Sequence, residues 1–245
     1  VAAAGDATLE KVFPTRESAV PLSEEIPRYG ERAAKAPSGH VGAAARPRVF
    51  IPVFPGTNTE YDTARAFEAA GADPQILVVR NLSPEGIEET IGRMEQMIRQ
   101  SQIIMLPGGF SGGDEPDGSA KCINAFFRNP RMKDAVHELL KARDGLMLGI
   151  CNGFQALIKL GLVPYGEIID INEACPTLTC NTFGRHQSML VRTRVASNMS
   201  PWLQETHAGD IHTVAISHGE GRFVAVNGVL ERLKLKGQIA TQYVD

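Results

Sequence analysis

The stretch Gly149-Ile150-Cys151-Asn152-Gly153-Phe154-Gln155 carries a cysteine with one glycine two residues before it and another two residues after it. That is the spacing of a nucleophile elbow, in which a cramped strand-to-helix turn lifts one reactive side chain above the carboxyl edge of a sheet. A side chain at either glycine is expected to clash. The thiolate is the attacking form of a cysteine, and helix N-terminal amides favour negative charge placed among them. The chemistry such a group performs is acyl transfer. The competing reading is a small buried residue whose glycine neighbours permit close packing. The apolar run before Cys151 and the helical pattern after it, with Phe154, Leu157 and Ile158 on one face, favour the elbow.

Acyl transfer also needs hydrogen-bond donors for the oxyanion, each worth roughly 2.7–4 kcal/mol of barrier when removed. One source is the backbone N–H of Asn152, directly after the nucleophile. The other is Gly108-Gly109-Phe110, which leaves the carboxyl end of a neighbouring apolar run, where open α/β sheets place their ligands. Neither a G-x-x-x-x-G-K-[ST] nor a G-x-G-x-x-G string is present, which argues against a phosphate cradle. Gly112, Gly113 and Asp114 read as a turn. For a base, spacing alone proposes His218, with Glu220 two residues on to orient its ring. His137 falls in a helical pattern and reads as a surface residue, while His207 and His212 suggest no partner. Cys175, Cys180 and His186 make a loose C-x4-C-x5-H string without an evident fourth zinc ligand, so no metal is expected.

These side chains need a scaffold, and 245 residues supply one large α/β domain or two small ones. Hydrophobic residues at 43% and charged residues at 22% are ordinary for a globular chain. With 25 basic against 28 acidic side chains the net charge is −3, and no basic run offers a nucleic-acid footprint. No apolar run approaches the roughly 20 residues a bilayer needs, and the N-terminus lacks the features of a signal peptide. A cytoplasmic location is therefore expected. Four cysteines are too few for a disulfide scaffold. The first residue is Val1, which suggests processing or excision from a longer polypeptide.

Residues 1–46 hold eleven alanines, four prolines and four glycines without sustained periodicity, and read as a linker or tether from a preceding domain. Strands are expected at 49–54, 75–79, 103–106 and 146–150, with Pro52 weakening the first. Helices are expected at 59–70, from Pro84 to near Ser101, and at about 119–127 and 131–143. Thr57 or Asn58 is expected to cap the first helix, which would bury Ala66, Phe67 and Ala70 and end at Gly71. Ser83-Pro84-Glu85 opens the second. Strands alternating with helices mean a mostly parallel sheet flanked by helices. After Gly161 the short runs 189–195, 211–217, 222–226 and 239–244, with little helix between them, read as an added antiparallel, strand-rich second half.

Four ordered stretches then carry a resemblance. They are Phe54-Pro-Gly-Thr-Asn-Thr-Glu-Tyr-Asp62, Leu106-Pro-Gly-Gly-Phe-Ser-Gly-Gly-Asp114, Gly149-Ile-Cys-Asn-Gly-Phe-Gln155 and Ser217-His-Gly-Glu-Gly-Arg222. The chain resembles the class I (triad) glutamine amidotransferases, and among them the glutaminase domains of the large single-chain phosphoribosylformylglycinamidine synthases, over about residues 46–245. The resemblance implies a flavodoxin-like fold with Cys151 as the nucleophile. It places Gly108, Gly109 and Asn152 in the oxyanion region, and Phe110, Gln155, His218, Gly219 and Glu220 against substrate. The family takes its catalytic His and Glu from a later His-x-Glu motif, so His218 and Glu220 move from the triad to the substrate pocket. Residues 47–245 then read as a glutaminase domain incomplete at its C-terminus. The implied activity, as an enzyme fragment, is hydrolysis of glutamine through a thioester to supply ammonia. A synthetase domain of the same or an associated chain would use ATP and magnesium to amidate formylglycinamide ribonucleotide; no cofactor is expected in this domain. The alternatives are a stand-alone cysteine hydrolase and a non-catalytic glutamine-sensing or docking module. No nucleic acid or membrane partner is expected.

Overall fold

The computed structural model describes residues 46–111 and 120–245, so Gly112, Gly113, Asp114 and the expected arm before Arg46 lie outside them. The described residues form two compact units, one ending at Thr177 and the other running from Leu178 to Asp245. Among the described residues no helix is long and apolar enough to cross a membrane.

In the first unit, β1 (Arg48–Val53), β2 (Asp73–Val78), β3 (Ile103–Leu106) and β4 (Leu146–Gly149) form a parallel sheet. The order is β2-β1-β3-β4. Helices α1 (Glu60–Ala69), α2 (Pro84–Gln100), α3 (Lys121–Phe127) and α4 (Pro130–His137) lie between these strands in sequence, and α5 (Asn152–Leu160) follows β4. A one-turn helix, α6 (Leu162–Tyr165), comes after it. Both faces of the sheet are covered, which is why its strands read as continuous apolar runs. Val49 and Ile51 pack with Ala64, Ala72 and Met105 on one face. Phe50 packs with Met94, Ile98, Phe127, Leu139 and Leu157 on the other. Each such side chain contributes about 1.5–3 kcal/mol on full burial.

Pro52 does not break β1. Pairing of β1 with β3 runs through Val49 and Phe50, so it is complete before the residue without an N–H is reached. Helix α1 departs from expectation in two respects. Its N-cap position is Thr59, at φ 67° and without a side-chain cap bond, while the Thr57 hydroxyl bonds back to Phe54 instead. Its packed face carries Ala64 and Phe67, and Ala66 and Ala70 are exposed. Helix α2 starts as read, the Ser83 hydroxyl accepting from the Gly86 N–H at 3.1 Å with Pro84 in the first turn. The helical pattern expected to run on to 143 divides into α4 and a π-helical turn, Glu138–Ala142.

The second unit is antiparallel. Strand β6 (Gln187–Val195) lies between β7 (Ile211–His218) and β9 (Thr241–Val244), and the short β5 (Thr177–Thr179) pairs with β8 (Arg222–Val224). A helix stands where little was expected: α7 (Asn227–Leu235), seated through Val229 and Leu233, one turn apart and both buried.

Candidate active site

In a sheet of order β2-β1-β3-β4 the winding direction reverses beside β1, and a crevice opens at the carboxyl ends of β1 and β3. The loops leaving those two strands are tied together across it. Asn58 N–H donates to the Gly108 carbonyl at 2.9 Å, and Phe110 N–H donates to the Gly56 carbonyl at 2.7 Å. Gly109 sits at φ 118°, and a Cβ there would lie 2.5 Å from the Gly56 oxygen, so only glycine lets the loops approach this closely. Neither cross-loop bond uses the N–H of Gly108 or of Gly109.

The elbow follows β4. Cys151 takes φ 54° and ψ −112° at the N-cap of α5, and its side chain is exposed. Both flanking glycines are required sterically, for different reasons. A Cβ on Gly149 would come within 2.5 Å of the Gly153 oxygen, a local clash; a Cβ on Gly153 would collide with the Leu106 carbonyl of the neighbouring strand. The first-turn bonds run from Gly153 N–H to Ile150 O and from Gln155 N–H to Cys151 O, and neither uses the Asn152 N–H. A Cβ at Gly108 would lie 3.4 Å from the Cys151 Cβ, so the glycine loop passes beside the elbow residue. The unit therefore brings Cys151, Gly108, Gly109 and Asn152 together, with Phe110 at the rim, 55% exposed. Phe154, expected on the buried face of α5, is 36% exposed; Ala156, Leu157 and Leu160 are buried there.

The Asn152 side chain and Ser111, for which spacing proposed no role, hold the arrangement. The Asn152 side chain, fully buried, accepts from the Ser111 N–H at 3.1 Å and from its hydroxyl at 2.8 Å, and donates to Gln155 Oε1 at 3.0 Å. Ser111 is equally buried. A hollow of about 560 Å³, lined by Lys121, Asn124, Arg128, Lys159 and Glu173, lies elsewhere in this unit. Lys159 is about 10 Å along α5 from Asn152 at the helical rise per residue, so chemistry rather than volume picks the site.

In the second unit, His218 is oriented by Asn181 rather than by Glu220: its Nδ1 lies 3.1 Å from Asn181 Oδ1. Asn181 also donates through Nδ2 to the His218 and Arg185 carbonyls, and its N–H donates to the Gly219 carbonyl at 2.8 Å. Glu220 Oε1 stands 3.9 Å from the Cys180 thiol. A cleft of about 370 Å³ is lined by Asn181, Phe183, His218, Arg222 and Tyr243. Spacing in sequence could not propose Asn181, which is 37 residues from His218. His207, for which the sequence suggests no partner, has Asp210 3.6 Å away. His186 pairs with the Ser217 hydroxyl at 2.9 Å. Among the described residues no cluster of three or more His, Cys, Asp and Glu could hold a metal ion.

Fold and elbow together are those of the class I glutamine amidotransferases. Residues 46–245 match the CobB/CobQ-like glutamine amidotransferase domain, and the chain belongs to that family. Its relatives include the phosphoribosylformylglycinamidine synthase subunit PurQ of Treponema denticola, 34% identical over 212 residues covering 81% of this chain and 72% of that one. The subunit of the same name from Chlorobium chlorochromatii is 36% identical over 198 residues, covering 80% and 70%. Among solved structures, the PurLQS structure from Thermotoga maritima aligns with a TM-score of 0.56 and 25% identity, over 82% of this chain and 76% of that one.

Proposed function

We propose that this chain hydrolyses glutamine through a thioester on Cys151. The exposed Cys151 on its elbow, with Gly108 beside it, carries the reading. The sulfur attacks the carbon of the glutamine side-chain amide, and the resulting oxyanion is held by the N–H of Asn152 and by the Gly108-Gly109 backbone. Collapse breaks the C–N bond and releases ammonia, a step that needs a general acid. Water then cleaves the thioester to glutamate. Phe110 and Gln155 stand against the substrate.

The ammonia serves conversion of formylglycinamide ribonucleotide to formylglycinamidine ribonucleotide by a synthetase that uses ATP and magnesium. The names of the relatives support this reaction. Those names denote separate subunits, which supports an associated synthetase chain over the large single-chain form.

Diazo-oxo-norleucine, a glutamine-like electrophile, tests the first step. Mass spectrometry should find modification at Cys151, competed by glutamine, and Cys151→Ala should abolish it. Equal modification of Cys180, which is also exposed, would reject a glutamine pocket at the elbow. Ammonia-dependent amidation that glutamine supports only when this chain is added to the synthetase tests the second.

A further inference from the structure

We propose that the Asn152 side chain, clamped on Ser111, is a positioning residue that fixes the separation between the two halves of the oxyanion site; this rests on the glutaminase reading above. That reading draws its donors from two places far apart along the chain. One is the Asn152 N–H in the first turn of α5, and the other is the Gly108-Gly109 backbone in the loop after β3. Two donors stabilise one developing oxygen only while the gap between them matches the bonds it makes, so the loop has to be held to the helix. The bonds of Asn58 and Phe110 tie the glycine loop to the loop after β1, not to α5.

Asn152 itself makes the tie to α5. A main-chain N–H can only donate, so the Asn152 atom 3.1 Å from the Ser111 N–H is the oxygen Oδ1, and it accepts the Ser111 hydroxyl at 2.8 Å as well. Ser111 is three residues along the same loop from Gly108. The opposite end of the amide, Nδ2, donates to Gln155 Oε1 at 3.0 Å, which pins the carboxamide from its own helix. Asn152 and Ser111 are fully buried, so bulk water offers neither a substitute partner when the other is removed. One residue thus supplies a donor through its main chain and locates the remaining donors through its side chain. Oxyanion donors act by standing in place before charge develops, with no rearrangement at the moment of reaction. Releasing the clamp should therefore slow the reaction of a bound electrophile without weakening its binding.

A chloromethyl ketone in which the chloromethyl group replaces the amide nitrogen of glutamine reads this step. The Cys151 sulfur displaces chloride, the S–C bond forming as the C–Cl bond breaks. Donors on the adjacent carbonyl oxygen speed the displacement, and no general acid is required. Iodoacetamide, which lacks the amino-acid portion, reports the reactivity of the thiol alone. In the full 245-residue chain, Asn152→Ala should lower the saturating rate of Cys151 modification by the chloroketone about tenfold or more. The half-saturating concentration and the iodoacetamide rate should each stay within about twofold of the parent. Ser111→Ala removes the hydroxyl but keeps the main-chain donor, so its fall in the same rate should be smaller, and it should vanish in an Asn152→Ala background. Asn152→Asp, whose carboxylate accepts both Ser111 bonds, should recover most of the chloroketone rate relative to iodoacetamide. Should Asn152→Ala unfold the chain, as a thermal melt would reveal, Ser111→Ala decides by the same two rates. An unchanged saturating rate in the folded variants, a loss confined to the half-saturating concentration, or an equal loss toward iodoacetamide overturns the proposal. Absence of saturable modification in the unsubstituted chain rejects the glutaminase reading instead, so the two failures are distinct.

Discussion

Cys151 holds a backbone conformation, φ 54° and ψ −112°, that residues with a Cβ rarely adopt. Conformations of this kind cost on the order of 1–3 kcal/mol and persist where the surroundings impose them. The imposition comes from β4 on one side, from α5 on the other, and from the close approach of Gly153 to the Leu106 carbonyl. The strain serves exposure, since a relaxed turn would lay the side chain along the sheet edge rather than above it. A comparison of two variants that both lack sulfur isolates the backbone contribution. Cys151→Gly should unfold in urea at about 1 kcal/mol greater stability than Cys151→Ala, although glycine ordinarily lowers stability by about that much. The opposite order would show that the elbow is not strained. Cys180 is the instructive counterpart: it is equally exposed, yet it sits in the second unit beside Glu220 without an elbow. Exposure of a thiol therefore does not single out the candidate nucleophile; backbone geometry does.

Helix α2 shows how elements are fastened at each end. Its start is local: Ser83 and Pro84 make the cap, and both are legible in order along the chain. Its end is not. The carbonyls of Ile98, Arg99 and Ser101 are taken by the Arg143 guanidinium at 2.8, 2.9 and 3.0 Å, from a residue more than 40 positions away. Burial pushes the Arg143 pKa down from its ordinary value, against the opposing pull of Glu138. Arg143→Ala should destabilise the chain by about 2–3 kcal/mol, because it leaves three carbonyls without their charged donor. Arg143→Lys should recover only part of that loss, since one ammonium does not reproduce the planar fork. Equal stability of Arg143→Ala and the parent chain in urea denaturation would contradict this role. The helix Asn227–Leu235 escaped the reading for the reverse reason. Its start, Asn227-Gly228, is turn chemistry, and packing of Val229 and Leu233 overrides it.

At the scale of the whole molecule, acid should act in two stages. His137, read as a surface residue, is half-buried and partnered: its Nε2 accepts the Ile168 N–H at 2.9 Å, which only a neutral ring can do. Burial lowers its pKa from the ordinary 6.5, with Lys141 and Lys133 acting in the same direction and Glu167 and Asp134 opposing. The stability it contributes is complete above about pH 6.5 and is lost as the pH falls from there toward the lower folded value. The second stage belongs to carboxylates. The hydrogen bond from Arg131 holds Glu95 below its ordinary 4.5, and the bond from Lys141 does the same for Glu167. Their contribution is present above pH 4.5 and is lost below it. Urea midpoints measured from pH 8 to pH 4 should fall first below pH 6.5. In His137→Gln, whose side-chain oxygen can accept the same N–H without titrating, that first fall should disappear. Persistence of the fall in His137→Gln would assign it to another group.

What depends on near neighbours was legible along the chain. The four parallel strands, the helix opened by Ser83 and the glycine spacing about Cys151 all follow from residues within a few positions of one another. Apolar period, caps and turns are local physics, and Ile103–Leu106 was readable to the residue. Tertiary structure decided everything whose partner is remote. It supplied Leu106 as the reason Gly153 must be glycine, Ser111 as the donor that orients Asn152, and Asn181 in place of Glu220 as the partner of His218. It also turned Ala64 rather than Ala66 inward on the first helix. Hydrogen-bond partners are chosen by distance in space, and a linear string records distance only along the backbone.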